Sequence, residues 1–93
     1  METKLENLQN LITNALVEYN ASGGVSTTMY HALGDIELPN EVLSIMVCFN
    51  EAWEQADSDD VNRVLDHYTG EIINWLKANN LYEHALNSSR YGH

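Results

Sequence analysis

Val42 to Phe49 reads VLSIMVCF and runs on without a break into NEAWEQA, ending at Ala56. The first eight residues alone would suit a strand buried on both faces, since half of that run is β-branched or aromatic. What decides against a strand is the continuation. Val42, Ile45, Met46, Phe49, Ala52, Trp53 and Ala56 recur at steps of three and four, which is the period of one helix face. The pattern also outlasts the usual strand length of about five or six residues. Pro39 suits the first turn of such a helix, where its missing N–H costs nothing.

With that run read as a helix, the rest of the chain follows the same period. Upstream, Leu5, Leu8, Ile12, Ala15, Leu16 and Tyr19 form a helix face that Asn20 and the pair Gly23, Gly24 should end. Its polar side, with Asn7, Asn10, Thr13 and Asn14, carries little charge and is expected to be solvated or lightly packed. Ser26, Thr27 and Thr28 offer N-caps for a short helix over Thr28 to Leu33, stopped by Gly34. Downstream, Asp57 or Ser58 should cap a helix whose face is Val61, Val64, Leu65, Tyr68, Ile72, Trp75 and Leu76, ending near Asn79 and Asn80. LYEHAL suggests a last short helix. The fold class is therefore all-α, a compact bundle of four to five helices. A chain of 93 residues makes one domain, placed at residues 1–86, with a flexible C-terminal tail at 87–93. At this size folding buries about 60 to 70% of the unfolded surface, enough for a single core.

Charge is the unusual property. Fourteen acids face four bases, Lys4, Arg63, Lys77 and Arg90, for a net charge of −10. Leu5 to Asn62 holds no Lys or Arg. Nucleic acid and anionic membranes both select for basic patches and are disfavoured as direct ligands. A basic protein surface is the favoured partner. The N-terminal METKLENLQN is unlike a secretory signal, and no stretch approaches the ~20 apolar residues of a membrane span, so a cytoplasmic location is expected. Cys48, the one cysteine, sits in the apolar run and is expected to be a buried, unreactive thiol.

The densest acidic stretch is Glu51 to Asp60, EAWEQADSDD, with carboxylates at Glu51, Glu54, Asp57, Asp59 and Asp60. Asp59 and Asp60 are accounted for by a helix dipole if they occupy a first turn, and Asp59 is spaced to pair with Arg63. Glu51 and Glu54 have no such explanation. They point away from the core line of their helix, and Leu43 and Val47 lie on the adjoining flank. Apolar anchors beside a charged rim describe a protein interface. The competing explanation is that a neighbouring helix covers Leu43 and Val47.

Other chemistries are poorly served. Asp60, His67 and Glu71 share one side of a helix, but the paired spacing of a zinc site and the glycine and distal glutamate of a calcium loop are missing, so no metal or other cofactor is expected. Ser26, Thr27, His31 and Asp35 contain the ingredients of nucleophilic catalysis without a nucleophile elbow or phosphate loop, so an enzyme is not expected. Met29, Tyr30, His31 and Asp35 on a helix after Gly-Gly would make a recognition helix with no base for phosphates.

In size, helicity and charge the chain resembles a loose functional class of small acidic inhibitors: viral anti-restriction and anti-CRISPR proteins, nucleic-acid (DNA) mimics and toxin immunity proteins. The resemblance rests on the overall profile and transfers no residue roles. It implies a protein that occupies a basic, nucleic-acid-binding surface of its partner, in the host cytoplasm if viral. The alternative from another class is a self-associating helical adaptor, a homodimer with its seam along the helix of VLSIMVCF.

Overall fold

Where the apolar period is strongest the chain is helical throughout: α1 spans Lys4–Ala21, α2 Thr27–Ala32, α3 Asn40–Gln55, α4 Val61–Ala78 and α5 Tyr82–Ser89. The computed structural model describes residues 4–24 and 26–89, and among these there is no strand. The all-α bundle expected from periodicity is the fold. No helix among the described residues is long and apolar enough to cross a membrane.

Local signals end the helices as their chemistry requires. After α1, Gly23 and Gly24 take φ of 77° and 119°, and the Gly24 N–H returns to the Tyr19 carbonyl at 3.0 Å. After α2, Gly34 and Asp35 both adopt left-handed backbone, and the Asp35 N–H reaches the Tyr30 carbonyl at 3.0 Å. Asn80 does the same after α4 at φ 60°, a role asparagine fills with little strain.

The helix starts depart from expectation. Ser26, Pro39 and Asp60 stand at the N-cap positions of α2, α3 and α4, and none makes a side-chain capping bond. Asp57 and Ser58 do not cap α4. The Asp60 N–H instead bonds the Asp57 carbonyl at 2.8 Å, closing a turn that delays the helix to Val61. Asp59 and Asp60 thus precede the first turn of α4 rather than lying in it. At the other end, α5 runs through Asn87 and Ser88 to Ser89, past the boundary drawn at residue 86. Lys4 donates to the Asn87 side-chain oxygen at 3.1 Å, tying that extension to α1. The remainder of the expected tail, 90–93, lies outside the described residues.

Leu8, Ile12 and Leu16 of α1, Met29 and Leu33 around α2, Val42, Met46 and Phe49 of α3, Ile72 and Leu76 of α4, and Ala85 of α5 merge into one buried core. Each large side chain taken fully out of water contributes about 1.5–3 kcal/mol of transfer free energy. α1 is the hub that touches every other helix, whereas among the described residues the helices that α3 packs on are α4 and α1. The α3–α4 contact is aromatic: the Phe49 ring lies 6.0 Å from Tyr68, edge to face, and 5.4 Å from Trp53. α5 is held by Lys77 over the Tyr82 ring at 4.9 Å and by a 2.7 Å hydrogen bond between His84 Nε2 and the Gly34 carbonyl. A radius of gyration of 12.4 Å matches the ~12 Å of a folded chain this long.

Candidate protein-interaction face

Among the described residues α3 is buried along one side and open along the other, which gives it an inner and an outer face. Val42, Met46 and Phe49 are fully buried, and Ile45 and Trp53 pack partly against them. On the outside, Val47 is 47% exposed, and Ser44, Cys48, Glu51, Glu54 and Gln55 are all exposed or partly so. At 100° per residue, Leu43, Glu54, Val47 and Glu51 fall within about 80° of one another on that outer side.

Leu43 and Val47, read together from the sequence, divide here. Leu43 is half-buried and packs against the core, so the fold accounts for much of it. Val47 does not join the core and stands as an exposed large hydrophobe, one helical turn before Glu51 and two before Glu54. Cys48 corrects the sequence reading: its thiol is exposed, not buried. An unbroken apolar run suggested burial, but Cys48 is set about 100° from Phe49 and about 160° from Met46, which turns it outward. Weighing its angle to those two core positions would have placed it correctly.

Asp57, Asp59 and Asp60 lie in the connection between α3 and α4 rather than on the helix face. Asp57 and Asp59 are exposed, while Asp60 is half-buried and meets Arg63 Nη2 at 3.4 Å. Arg63 therefore pairs with Asp60 and not with Asp59. Glu51, Glu54, Asp57 and Asp59 make no ion pair among the described residues. The result is a surface with an apolar centre at Val47, a free thiol, and carboxylates that no described cation neutralises.

The other sequence candidates resolve into local pairs. His67 Nε2 lies 3.7 Å from Glu71 Oε1 and its ring sits edge to face on Tyr68, while Asp60 turns to Arg63. Among the described residues no group of three or more His, Cys, Asp and Glu is placed to hold a metal ion. His31 Nδ1 and Asp35 Oδ1 are 2.6 Å apart on the surface, and among the described residues no hydrogen bond from Ser26 or Thr27 extends the pair.

One feature escaped the sequence reading. Gln9, Asn10 and Thr13 of α1 and Asp66, Thr69 and Gly70 of α4 line a polar groove of ≈ 280 Å³, and the Thr13 and Thr69 hydroxyls bond at 3.0 Å. On the α1 face expected to be solvated or lightly packed, Asn10 and Asn14 are exposed, while Thr13 meets another helix through this polar contact. A threonine at a core position of α4, followed by a mid-helix glycine, was the signal available.

Comparison with protein-family models, curated proteins and solved structures gives no match for this chain.

Proposed function

We propose that this chain is a small acidic interaction protein that docks the outer face of α3 on a basic surface of a partner protein. The observation that carries the reading is the combination on one side of α3: an exposed hydrophobe, Val47, followed by Glu51 and Glu54 on the same side, on a helix without a single Lys or Arg. Val47 supplies an apolar contact point beside that acidic rim, and unneutralised carboxylates favour a partner that supplies the opposite charge. The partner is taken to be a protein whose basic groove ordinarily holds nucleic acid, so that the chain acts as an inhibitor. Glu51, Glu54, Asp57, Asp59 and Asp60 then stand where phosphates would. Carboxylates one helical turn apart, ~5.4 Å, are sparser than phosphates at ~3.4 Å along a strand, and the mimicry is approximate.

A toxin immunity protein would use the same chemistry against a basic nuclease. The rival of a homodimer through α3 is weakened by charge. A two-fold seam along this face would bring the glutamates of two copies together with no Lys or Arg of α3 to offset them, and that like-charge contact opposes association.

The test begins with capture of partners from a lysate at low and high salt and proceeds to kinetics with the purified partner. Reversing Glu51 and Glu54 to Lys should slow association about tenfold or more and flatten its salt dependence. Changing Val47 to Asp should instead speed dissociation. Association at the parental rate across the salt range would refute the reading.

A further inference from the structure

We propose that the groove between α1 and α4 is a binding site for a guanidinium group, carried either by a free small molecule or by an arginine of a bound chain. No residue of α3 lines it, so the proposal stands apart from the face described above.

Three observations converge. The first is the lining. Gln9, Asn10, Thr13, Asp66 and Thr69 bring amide, hydroxyl and carboxylate groups from two helices, and the only charge among them is the carboxylate of Asp66. Anions are disfavoured by that carboxylate and by the net charge of −10, and the nearest cation in sequence, Arg63, pairs with Asp60. The second is size. At ≈ 280 Å³ the groove falls just short of the ~300 Å³ at which drug-sized sites begin, leaving room for one amino-acid-sized group and not for a large cofactor. The third is Gly70. It lies in the interior of α4 with ordinary helical φ, and a Cβ added there would meet nothing within 4 Å. Neither backbone conformation nor crowding requires glycine at this position, although glycine is among the poorest residues inside a helix. What its missing side chain does is leave one wall of the groove open to bare backbone, the arrangement that lets a ligand approach closely.

The floor explains why a planar donor fits. Thr69 is only 5% exposed, and its hydroxyl shares a hydrogen bond with Thr13, so one oxygen donates and both retain accepting capacity. The side-chain amides of Gln9 and Asn10 can turn their oxygens to a donor, and the Asp66 carboxylate adds a charged acceptor to the lining. A guanidinium carries five N–H donors in one plane and can address several such acceptors at once, including a carboxylate in a bidentate pair. An ammonium offers a compact, strongly hydrated point charge and gains less from dispersed neutral oxygens.

The experiment is a two-dimensional amide NMR titration of the full chain with N-acetyl-arginine amide and, at equal ionic strength, N-acetyl-lysine amide. Saturable shifts confined to the Gly70 backbone amide and the Gln9 and Asn10 side-chain amides are expected with the arginine compound, with the lysine compound at least about tenfold weaker. Asp66→Asn should weaken arginine binding about tenfold. Gly70→Leu should abolish it while the helix remains intact, because leucine is the better helix former and fills open space. The peptide Gly-Gly-Arg-Gly-Gly separates the two sources: tighter binding than the capped amino acid assigns the group to a polypeptide, and equal or weaker binding to a free small molecule. Shifts that grow linearly without saturation, an equal response to lysine, or unaltered binding by the Gly70→Leu protein would overturn the proposal.

Discussion

α3 and α4 are neighbours of similar length that bury their inner faces against each other, and they differ in what they show to solvent. α4 exposes Asn62, Arg63, Asp66, His67, Glu71, Asn74 and Lys77, a mixed-charge surface on which Arg63 meets Asp60 and His67 meets Glu71. α3 exposes Val47 and Cys48 alongside Glu51, Glu54 and Gln55, and its sequence contains no Lys or Arg. Local pairing on α4 is the ordinary outcome for a face that has only to stay wet. α3 departs from that pattern in both composition and charge balance. Local contacts therefore account for the charged residues of α4 outside the groove, whereas those on the outer side of α3 have no such partners among the described residues.

The sharpest contrast lies within α3 itself. Phe49 is fully buried between Trp53 and Tyr68, so Phe49→Ala should cost about 3–5 kcal/mol, measured as the shift in a urea midpoint followed by circular dichroism. That is a large share of the ~5–14 kcal/mol available to a domain of this length. A loss below about 1 kcal/mol would mean that α3 is not packed as described and that its two faces are not distinct.

A second test sets one inward polar side chain of each helix against the other. On α4, Thr69 has Thr13 as its partner; on α3, the buried Oδ1 of Asn50 has none among the described residues. Thr13→Val removes a hydrogen bond and leaves the Thr69 hydroxyl without its partner, which should destabilise by about 1–2 kcal/mol. Asn50→Leu removes an unsatisfied acceptor instead and should leave stability unchanged or raise it by up to about 1 kcal/mol. If Asn50→Leu proves as costly as Thr13→Val, the Asn50 amide has a hydrogen-bonding role in α3.

How much of this was legible beforehand follows from what each signal measures. Periodicity averages over many residues, so the helices of Val42 to Ala56 and Val61 to Leu76 could be read directly. Gly34 and Asn80 marked stops because left-handed backbone selects a few residue types. The start of α4 could not be read from cap preference, because a main-chain turn at Asp57 to Asp60 took the place of a side-chain cap. The glutamates of α3 were placed outward from helix angle alone, whereas Cys48 was misplaced by the apolar character of its neighbours. The groove depends on the approach of α1 to α4, a tertiary relation that no local pattern encodes.

The exposure of Cys48 gives a kinetic version of the comparison. A thiol reagent added to the native protein should label it at a rate within about tenfold of that in denaturant, since no unfolding is needed for access. Core residues at neighbouring positions would be protected by the full stability of the fold. Labelling slower by several orders of magnitude would place Cys48 inside the core, or inside a contact between copies of the chain.

Val47→Lys should have the smallest effect and decides most cleanly between the readings of the outer face. Half of the valine surface is already in water, so the burial lost is modest, and valine is a poorer helix former than lysine. The introduced lysine would also stand four residues before Glu51, a pairing of about 0.2–0.5 kcal/mol that fades with added salt. Folding stability should therefore stay within about 0.5 kcal/mol of the parent, and the thermal midpoint should not depend on protein concentration. If α3 were the seam of a homodimer, the parent's midpoint would rise with concentration and the substitution would abolish that rise, because association stabilises by mass action. A concentration-independent midpoint in both proteins, together with faster release of a captured basic partner by the variant, leaves Val47 with a role in recognition and none in the fold.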